Sequence, residues 1–426
     1  MTDPDRRIDA PVARLSPAQM APILVDGSGA VLNALEHAGG YGWFVGGCVR
    51  DALLGRPLND IDIATPLTPD RVTTALEGAG LRAVPTGVSH GTVTAVTAAR
   101  AFEITTFRRD IETDGRHATV RFTQDWREDA ARRDFTMNAL FLDRTGLVFD
   151  AHGGLADARA GRVRFIGDAH QRITEDVLRA LRFFRFHAHY GLGAIDPAGL
   201  AAATDLADRL PGLSAERVQA EVLKLLAAPM AASVWRAMAA AGLTMHILGC
   251  DGDVDRLDRL IALDRREAAD PCVRLAALLP TEVMARAALD RLKLSKRDAN
   301  RVVQAARHGG LLKGVTPGAP LRRVLYTHGA EAVADQALLA AADDPTVPLA
   351  AWLAEVAVWQ APVLPVSGQD ARALGLSEGP AIGAVLQTVE RWWIDRDFPD
   401  DRAGCLDQLR RAVSQNSDPP QTAKAK

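Results

Sequence analysis

Strand-forming runs in this chain of 426 residues are confined to roughly the first 165 positions, and helix-forming runs dominate the remainder. In the first part, the β-rich runs GTVTAVTAA and AFEITTF, separated by a short turn around Arg100, predict a hairpin. From about residue 166 onward, Ala-, Leu- and Arg-rich stretches alternate with short Gly/Pro breaks, a pattern typical of packed helices. This pattern predicts an α+β head, with a small mixed or antiparallel sheet and helices, followed by an all-α neck, body and tail.

Composition shifts along the chain predict where these parts begin and end. Residues 1–24 combine prolines with mixed charge and are expected to form a flexible leader. The head is expected over 25–165, the helical neck over 166–228 and the helical body and tail over 229–413. The polar, Pro-containing residues 414–426 are expected to be disordered.

Charge and cysteine content exclude several classes of protein. The chain has 50 Lys+Arg and 53 Asp+Glu, a net charge of -3, which argues against a uniformly basic nucleic-acid coat protein but allows a local basic groove. Its four cysteines are widely scattered and none is in a CxxC pair, which favours a reducing compartment and argues against a zinc site. No apolar run approaches the ~18–20 residues of a membrane span, and the N-terminus lacks an apolar signal core. We therefore expect a cytoplasmic protein with no membrane partner; the sequence leaves the oligomeric state open.

Two aspartates in the run NDIDIAT are the first candidates for chemistry. Residues i and i+2 of a strand share a face, so Asp60 and Asp62 are expected to project together. Two carboxylates that close repel each other unless a cation neutralises them. Mg²⁺ prefers carboxylate oxygens together with substrate phosphates, and it can activate an attacking hydroxyl. Taken alone, a DxD pair favours the simpler interpretation of two acids on an exposed edge strand.

A glycine pair precedes these aspartates and changes their context. Gly46 and Gly47 lie between a short strand and the helical run CVRDALLG. Glycines in this position let backbone N–H groups approach a phosphate, and Arg50, one turn into the helix, can reach the same anion. The simpler alternatives are an ordinary tight turn and an ion pair of Arg50 with Asp51 or Asp60. The combination GGxVRDxLLGx4DxD has too many fixed elements to be a chance turn.

With these motifs the chain resembles the class II nucleotidyltransferases of the polymerase-β superfamily, which include the bacterial CCA-adding tRNA nucleotidyltransferases and bacterial poly(A) polymerases. Four further stretches match in order: RRDFTMNAL at 132–140, DAHGGLADARAGRVRFIGD at 150–168, EDVLRALRFFRF at 175–186 and SAERVQAEVLKLL at 214–226. The resemblance is strong over residues 25–230. It implies addition of C and A residues from CTP and ATP to the tRNA 3′ end, with release of pyrophosphate. It also implies Mg²⁺ bound by Asp60 and Asp62, the triphosphate held by the glycine pair and Arg50, and a helical body that holds the tRNA.

The fourth stretch is implied to select the base. Asp176 and Arg179 match the family positions that pair with the edge of the incoming base, where a carboxylate only accepts hydrogen bonds and a guanidinium only donates them. Their spacing predicts one helical face, which Arg182 and Arg185 continue. Between residues 159 and 185, seven arginines stand against three acids, which predicts a patch that faces phosphates. The simpler alternative is a surface ion pair between Asp176 and Arg179.

Three further features are implied by the resemblance. Arg133 is expected to contact the nucleotide, although a buried pair of Arg133 with Asp134 is the simpler alternative. Glu103 in the run FEITTF is a candidate third catalytic carboxylate, although it is equally an edge-strand acid. The charged stretch 108–122 resembles a flexible loop near the active site and is placed to act as a lid.

Other functions stay open on sequence alone. A poly(A) polymerase, or an enzyme that adds only A or only CC, shares all the motifs of the head. A non-catalytic RNA-binding adaptor would have lost the DxD pair, which is intact here. A small-molecule nucleotidyltransferase would keep DxD but would need neither EDxxR nor a long helical body.

Overall fold

The computed structural model describes residues 10–58, 60–87, 91–113, 118–263, 270–307, 310–376, 379–399 and 401–417. The chain forms two compact units. The first runs to Val254 and also contains Arg286–Ser295, whereas the second contains Asp255–Glu267, Cys272–Ala285 and the chain from Lys296 onward. The helices between residue 228 and Val254 therefore belong to the unit that contains the predicted head and neck.

The strands lie in the first unit, as predicted. They are β1 (Ala13–Arg14), β2 (Trp43–Val45), β3 (Asp62–Thr65), β4 (Arg82–Gly87), β5 (Thr92–Val96), β6 (Ala101–Thr106), β7 (Arg108–Thr113), β8 (Ala118–Phe122), β9 (Leu140–Leu142) and β10 (Leu147–Asp150). Eight of them form one sheet in the order β1-β10-β9-β2-β3-β6-β5-β4, and β7 pairs with β8 in a second, two-stranded sheet. Within the large sheet β3 and β6 run parallel, and the other neighbours are antiparallel. The predicted mixed sheet is confirmed, and so is the hairpin of β5 and β6.

The first unit also contains the helices that position the site. They are α1 (Pro17–Met20), α2 (Ser28–His37), α3 (Gly47–Leu53), α4 (Pro69–Gly78), α5 (Trp126–Ala131), α6 (Gly154–Arg159), α7 (Ala169–Glu175), α8 (Leu178–Tyr190), α9 (Pro197–Asp205), α10 (Ala215–Leu226), α11 (Ala231–Ala240) and α12 (Leu243–Ile247). Short 3₁₀ turns lie at Thr136–Asn138 and Ala207–Gly212.

The rest of the described chain is helical, which confirms the predicted all-α body. Its helices are α13 (Val254–Leu263), α14 (Pro271–Leu278), α15 (Glu282–Leu292), α16 (Lys296–Arg307), α17 (Ala319–His328), α18 (Ala330–Asp343), α19 (Leu349–Val358), α20 (Gly368–Ala373), α21 (Pro380–Asp395) and α22 (Arg402–Ser417). None of the helices that the structure describes is both long and apolar enough to cross a lipid bilayer.

Alternating burial in two strands decides which face of the sheet carries the acids. Ile61 and Ile63 are buried on either side of Asp62, and Phe102 and Ile104 are buried on either side of Glu103. Successive side chains of a strand point to opposite faces. The apolar residues therefore fill the core, while Asp62 and the exposed Glu103 share the opposite face.

Two expectations at the chain ends are corrected by the structure. The flexible leader predicted over 1–24 is wrong for its later part, because β1 pairs with β10 and Leu15, Met20 and Ile23 are buried in the core. Burial of these apolar side chains supplies the free energy that orders the segment. At the other end, α22 continues to Ser417, so residues 414–417 are helical rather than disordered. Residues 1–9 and 418–426 lie outside the described residues.

The stretch 108–122, which resembles a flexible loop near the active site, contains two paired strands. β7 and β8 form an antiparallel ribbon, in which Arg108 pairs with Phe122 and Asp110 with Val120. Residues 114–117, which include the glycine of this stretch, lie outside the described residues. The lid function stays a prediction.

Candidate active site

Two further carboxylates interact electrostatically with Asp62, where β3 begins. Asp62 is the first residue of β3 and lies opposite Glu103 in the parallel register of β3 and β6. Burial raises the pKa of Asp62 to about 6, helped by the negative charges of Glu103 and Asp60 and opposed by Arg133. Asp60 itself is exposed and lies two residues before the strand rather than inside it. The expectation that Asp60 and Asp62 share a strand face is therefore wrong, although the two carboxylates interact electrostatically. Their joint role as metal ligands stays a prediction.

The negative charge of these carboxylates fits a divalent cation held by few protein ligands. Among the described residues, no three His, Cys, Asp or Glu side chains converge as a complete metal site. Mg²⁺ commonly binds one or two carboxylates and fills its other positions with water and substrate phosphates. Asp60 and Asp62 suit that form of site, and Glu103 adds negative charge beside it.

The glycine turn lies directly under Arg133. Gly46 has φ +77° and donates its N–H to the carbonyl of Leu140 (3.1 Å), and α3 begins at the next residue, Gly47. A Cβ atom on Gly46 would lie 3.1 Å from Nη1 of Arg133. Glycine at this position therefore serves two purposes, since it accepts the positive φ without strain and leaves room for the guanidinium.

We expect Gly46→Ala to separate these two purposes when compared with Gly55→Ala. Gly55 also has positive φ (+66°), but a Cβ atom added to it would meet nothing within 4 Å, so its substitution reports backbone strain alone. Both variants should lose about 1–2 kcal/mol of stability in urea unfolding. Only Gly46→Ala should also lose activity, by about tenfold or more, because small misplacements of binding groups are costly to rate. Equal activity in the two variants would show that Arg133 does not depend on this glycine.

Arg50 is held inside the protein. Its Nε and Nη2 donate to the carboxylate of Asp51 (3.0 and 2.9 Å), and Nη1 donates to Oδ1 of Asn138 (2.5 Å). Nη2 also donates to the hydroxyl of Tyr190 (2.6 Å). The simpler alternative, an ion pair with Asp51, is thus what the structure contains. These bonds use four of the five N–H groups of the guanidinium. Contact of Arg50 with a triphosphate stays a prediction.

Arg133, in contrast, keeps a hydrogen-bond donor unused. Its Nη2 donates to Oδ2 of Asp129 (3.0 Å), while its buried Nε has no hydrogen-bond partner in the described part of the chain. Asp129 also accepts from Nε of Arg132 (2.8 Å) and from the backbone N–H of Arg108 (3.2 Å). A buried unsatisfied donor is costly. Arg133 therefore suits an anionic ligand, and it pairs with Asp129 rather than with Asp134, the simpler alternative.

Asp134 instead pairs with the helix that comes after the head. It accepts from Nε of Arg182 (2.9 Å), from Nδ2 of Asn138 (2.9 Å) and from the backbone N–H of Phe135 (2.9 Å). Burial acts to raise the pKa of Asp134, but Arg182 and Asn138 outweigh it and lower the pKa to about 2. Asn138 thus connects Arg50 to Asp134. Through this connection the glycine turn is linked to α8.

The two base-selecting candidates do not lie on one helix. α7 ends at Glu175, Asp176 is extended (φ −150°, ψ 105°), and α8 begins at Leu178. The prediction of a continuous helix over this stretch is wrong. The physical reason is local: Oδ1 of Asp176 accepts the backbone N–H of Leu178 (3.2 Å), a bond that competes with continued helix.

Their side chains also have separate partners. Asp176 accepts from Nη2 of Arg217 (2.7 Å), whereas Nη1 of Arg179 donates to Glu175 (2.6 Å) and to the carbonyl of Arg172 (2.9 Å). These partners replace the ion pair of Asp176 with Arg179 that the sequence allows. Both residues nevertheless lie at the same end of α8.

The expected phosphate-facing patch is largely neutralised. Six of the seven arginines form ion pairs, and several of the acids come from outside the stretch 159–185: Arg162 and Arg164 with Asp157, Arg172 and Arg179 with Glu175, Arg182 with Asp134, and Arg185 with Glu221. A local count of charges misses partners that the fold brings in. The nucleotide-binding roles of Arg182 and Arg185 stay predictions.

Comparison with known proteins agrees with this geometry. Residues 42–164 match the poly A polymerase head domain, and residues 194–248 match a probable RNA and SrmB-binding site of polymerase A. The chain is 35% identical over 375 residues to the mitochondrial CCA tRNA nucleotidyltransferase 1 of Mus musculus, covering 86% of each protein. It is 31% identical to the CCA-adding enzyme of Levilactobacillus brevis, covering 87% of this chain and 94% of that enzyme. The chain belongs to the class II CCA-adding enzyme family.

A solved structure supports the assignment to the CCA-adding enzyme family. The Bacillus stearothermophilus CCA-adding enzyme in complex with CTP matches with a TM-score of 0.73 and 29% identity, over 90% of this chain and 97% of that one. The Thermotoga maritima CCA-adding enzyme complexed with tRNA has the same fold, with a TM-score of 0.66 at 18% identity. The resemblance inferred from the motifs is thereby confirmed.

Several residues that shape the site in this member of the CCA-adding enzyme family are not predictable as parts of it. Sequence favours a structural role for Asn138 and assigns no individual role to Arg172, Arg217 or Glu221. Arg172 donates to Glu175 (2.5 Å) and to the carbonyls of Arg132 (2.5 Å) and Arg133 (2.6 Å), so it ties the end of α7 to the backbone of Arg133. Asn138, Arg217 and Glu221 lie inside the matching stretches, which is the available signal, whereas Arg172 lies between two of them. Each of the four has a partner 36–88 residues away along the chain.

Proposed function

We propose that this protein extends the tRNA 3′ end with C and A residues from CTP and ATP, without a nucleic-acid template, and releases pyrophosphate. The observation that carries the proposal is the convergence of Asp62, Gly46 and Arg133, which Arg172 connects to the segment that contains Asp176. Metal-binding acids, an anion-binding group and a base-reading segment would thus be neighbours in one site. The family relationship supports the same reaction.

The reaction balances without a residue of the protein becoming covalently modified. The 3′-hydroxyl of the tRNA attacks the α-phosphorus of CTP or ATP, a new P–O bond forms, and the bond to pyrophosphate breaks. Mg²⁺, when bound by Asp60 and Asp62, would supply positive charge that stabilises the negative charge on the attacking oxygen and on the leaving pyrophosphate. Arg133, with its unused Nε donor, would hold the nucleotide in line, and Gly46 leaves space for that side chain. Glu103 is proposed as a flanking acid.

Base choice would fall to Asp176 and Arg179. C and A both present an exocyclic amino group, and an ionised carboxylate can only accept a hydrogen bond. U and G present a carbonyl oxygen at the corresponding position, which a fixed carboxylate repels. Arg179 would donate to the adjacent ring acceptor with the N–H groups of Nε and Nη2, since Nη1 donates to Glu175 and to the carbonyl of Arg172.

The segment that matches an RNA-binding model, residues 194–248, supports tRNA as the polymer that is extended. Duplex RNA is recognised mainly through its shape and backbone. We also propose a cytoplasmic location, since the four cysteines, all among the described residues, form no disulfide.

A primer-extension assay tests the proposed function. Purified protein is given tRNA that lacks its 3′ CCA, tRNA that ends in CC, and an unrelated RNA, each with CTP, ATP or both. We expect CC addition with CTP, completion with ATP, no tailing of the unrelated RNA, and full loss of extension when Mg²⁺ is chelated and regained when it is restored. Long A tracts on the unrelated RNA would support a poly(A) polymerase instead. Extension that persists after chelation would contradict the metal assignment.

A further inference from the structure

Helix α10 presents two charged side chains to the base-selecting segment. Val218, Val222 and Leu225 of α10 are buried, which fixes one face of this helix in the first unit. Beside that face, Arg217 donates from Nη2 to Oδ2 of Asp176 (2.7 Å). One turn further along, Glu221 accepts from Nε of Arg185 (2.5 Å) and lies 3.8 Å from Nη1 of Arg182.

The backbone around Asp176 does not by itself fix the direction of the carboxylate. Asp176 lies at the break between α7 and α8, in an extended conformation. Its Oδ1 accepts the N–H of Leu178 at 3.2 Å, and its Oδ2 accepts the shorter, charge-assisted bond from Arg217. The two donors together hold the plane of the carboxylate, and each oxygen keeps a further lone pair for a ligand.

Arg217 is well placed for this task because it is itself restrained. Its side chain is 29% exposed, and it extends from a helix whose neighbouring residue, Val218, is buried. Arg217 thus reaches Asp176 from a fixed helix, across 41 residues of sequence. Glu221 likewise reaches Arg185 from α10. This one helix therefore holds the acidic side chain of Asp176, just before α8, and the basic side chain of Arg185, in the middle of α8.

We propose that Arg217 is a positioning residue that determines base specificity, through the direction it gives to the carboxylate of Asp176. The proposal rests on the proposed function, in which Asp176 reads the base. A carboxylate held in one direction accepts the amino group of C or A and repels the carbonyl oxygen of U or G. Without Arg217 the carboxylate turns away from that oxygen, and the wrong base is rejected less strongly.

A purely structural role of Arg217 makes a different prediction. Loss of an ion pair that only stabilises α10 lowers the activity with every nucleotide by the same factor. Loss of a positioning contact changes the ratio of kcat/KM for CTP to kcat/KM for UTP. The ratio is independent of the fraction of folded enzyme, so it separates the two roles.

The experiment measures this ratio on tRNA that lacks its 3′ CCA, for the parent, Arg217→Gln, Arg217→Lys, Asp176→Asn and the double variant of Asp176→Asn with Arg217→Gln. Glu216→Gln is the matched control, since Glu216 is exposed and its substitution removes a charge from the same turn of α10. We expect the ratio to fall about tenfold in Arg217→Gln, at least as much in Asp176→Asn, and no further in the double variant. Arg217→Lys should restore part of the ratio, and Glu216→Gln should leave it unchanged.

The outcomes separate the two proposals. An unchanged ratio in Asp176→Asn would overturn base reading by Asp176, and with it the inference about Arg217. A lower ratio in Asp176→Asn with an unchanged ratio in Arg217→Gln would overturn the inference alone. If Arg217→Gln does not fold, Arg217→Lys decides: an intermediate ratio supports the positioning role, and the parent's ratio contradicts it.

Discussion

Asp62→Asn is expected to reduce kcat/KM for CTP and ATP by about a thousandfold or more, while the protein stays folded. The substitution keeps the size of the side chain and removes the charge that binds the cation, and charge stabilisation by a metal contributes several kcal/mol to such reactions. Glu103→Gln is the matched control, because Glu103 lies opposite Asp62 in the parallel register. We expect it to lower activity by about tenfold or less. Equal losses in the two variants would make Glu103 a full member of the catalytic group.

The same substitution should stabilise the protein in metal-free buffer. Asp62 binds its proton more tightly in the folded chain, with a pKa of about 6 against the ordinary 3.8. The folded state therefore loses stability as pH rises from 3.8 to about 6, and the full cost of the charge is present above that range. Asp62→Asn should be more stable than the parent by about 1–3 kcal/mol at about pH 8, and the difference should shrink below about pH 4. Urea unfolding at both pH values measures this difference in stability. If Asp62→Asn is less stable than the parent at the higher pH, Asp62 is not a buried, uncompensated charge.

Asp134→Asn is expected to have the opposite effect on stability, with a loss of about 2–4 kcal/mol at about pH 7. It removes the charge that Arg182 and Asn138 stabilise, and it leaves Arg182 with only the longer ion pair to Glu221 (3.8 Å). The partial exposure of Arg182 places the expected loss toward the lower end of the usual range. The pKa of Asp134 is lowered from 3.8 to about 2, so its contribution is present above pH 3.8 and is lost as pH falls toward 2. The difference in the free energy of unfolding between the parent and Asp134→Asn should therefore narrow as the pH falls from 3.8 to about 2.

Asp407→Asn is the control for Asp134→Asn. Asp407 also forms an ion pair, with Arg410 at 2.5 Å, but both side chains are more than half exposed. Exposed pairs contribute little, so a loss of about 0.5 kcal/mol or less is expected. If the two substitutions cost the same in urea unfolding, Asp134 would not be a structural link between the head and α8.

The regular parts of the head are predictable from local sequence. Alternation of apolar and polar residues in FEITTF marks β6, and it also places Glu103 away from the core. The short turn around Arg100 then makes β5 and β6 a hairpin, since nearby strands pair with little loss of chain entropy. Gly46, Gly47 and the aspartates are recognisable because the motif holds them at fixed spacing within 17 residues, 46–62.

The partners of the charged residues are not predictable in this way. Arg182 has two acids within a turn or two along the chain, yet it pairs with Asp134, which is 48 residues away. Asp176 pairs with Arg217 rather than with Arg179. Many arginines compete for each acid, and the differences in local sequence are too small to decide between them. The packing of α8 against α10, and of Phe183 and Phe186 of α8 against Phe135, brings the observed partners within hydrogen-bond distance.

The predicted leader, residues 1–24, shows a second reason why structure cannot always be predicted from local sequence. Leu15, Met20 and Ile23 follow neither a period of two nor a period of 3.6, and prolines lie among them. Nothing local predicts order, and the two-residue strand β1 exists because β10 offers it an edge. Segments that are ordered by tertiary contacts alone escape periodicity rules.

The most direct test of the central claim is sequencing of the 3′ ends that the protein makes on tRNA lacking CCA, with CTP and ATP both present and Asp62→Asn run in parallel. We predict ends that read CCA and stop there with the parent, and unextended ends with the variant. Runs of A, random ends, or CCA made equally well by Asp62→Asn would contradict it.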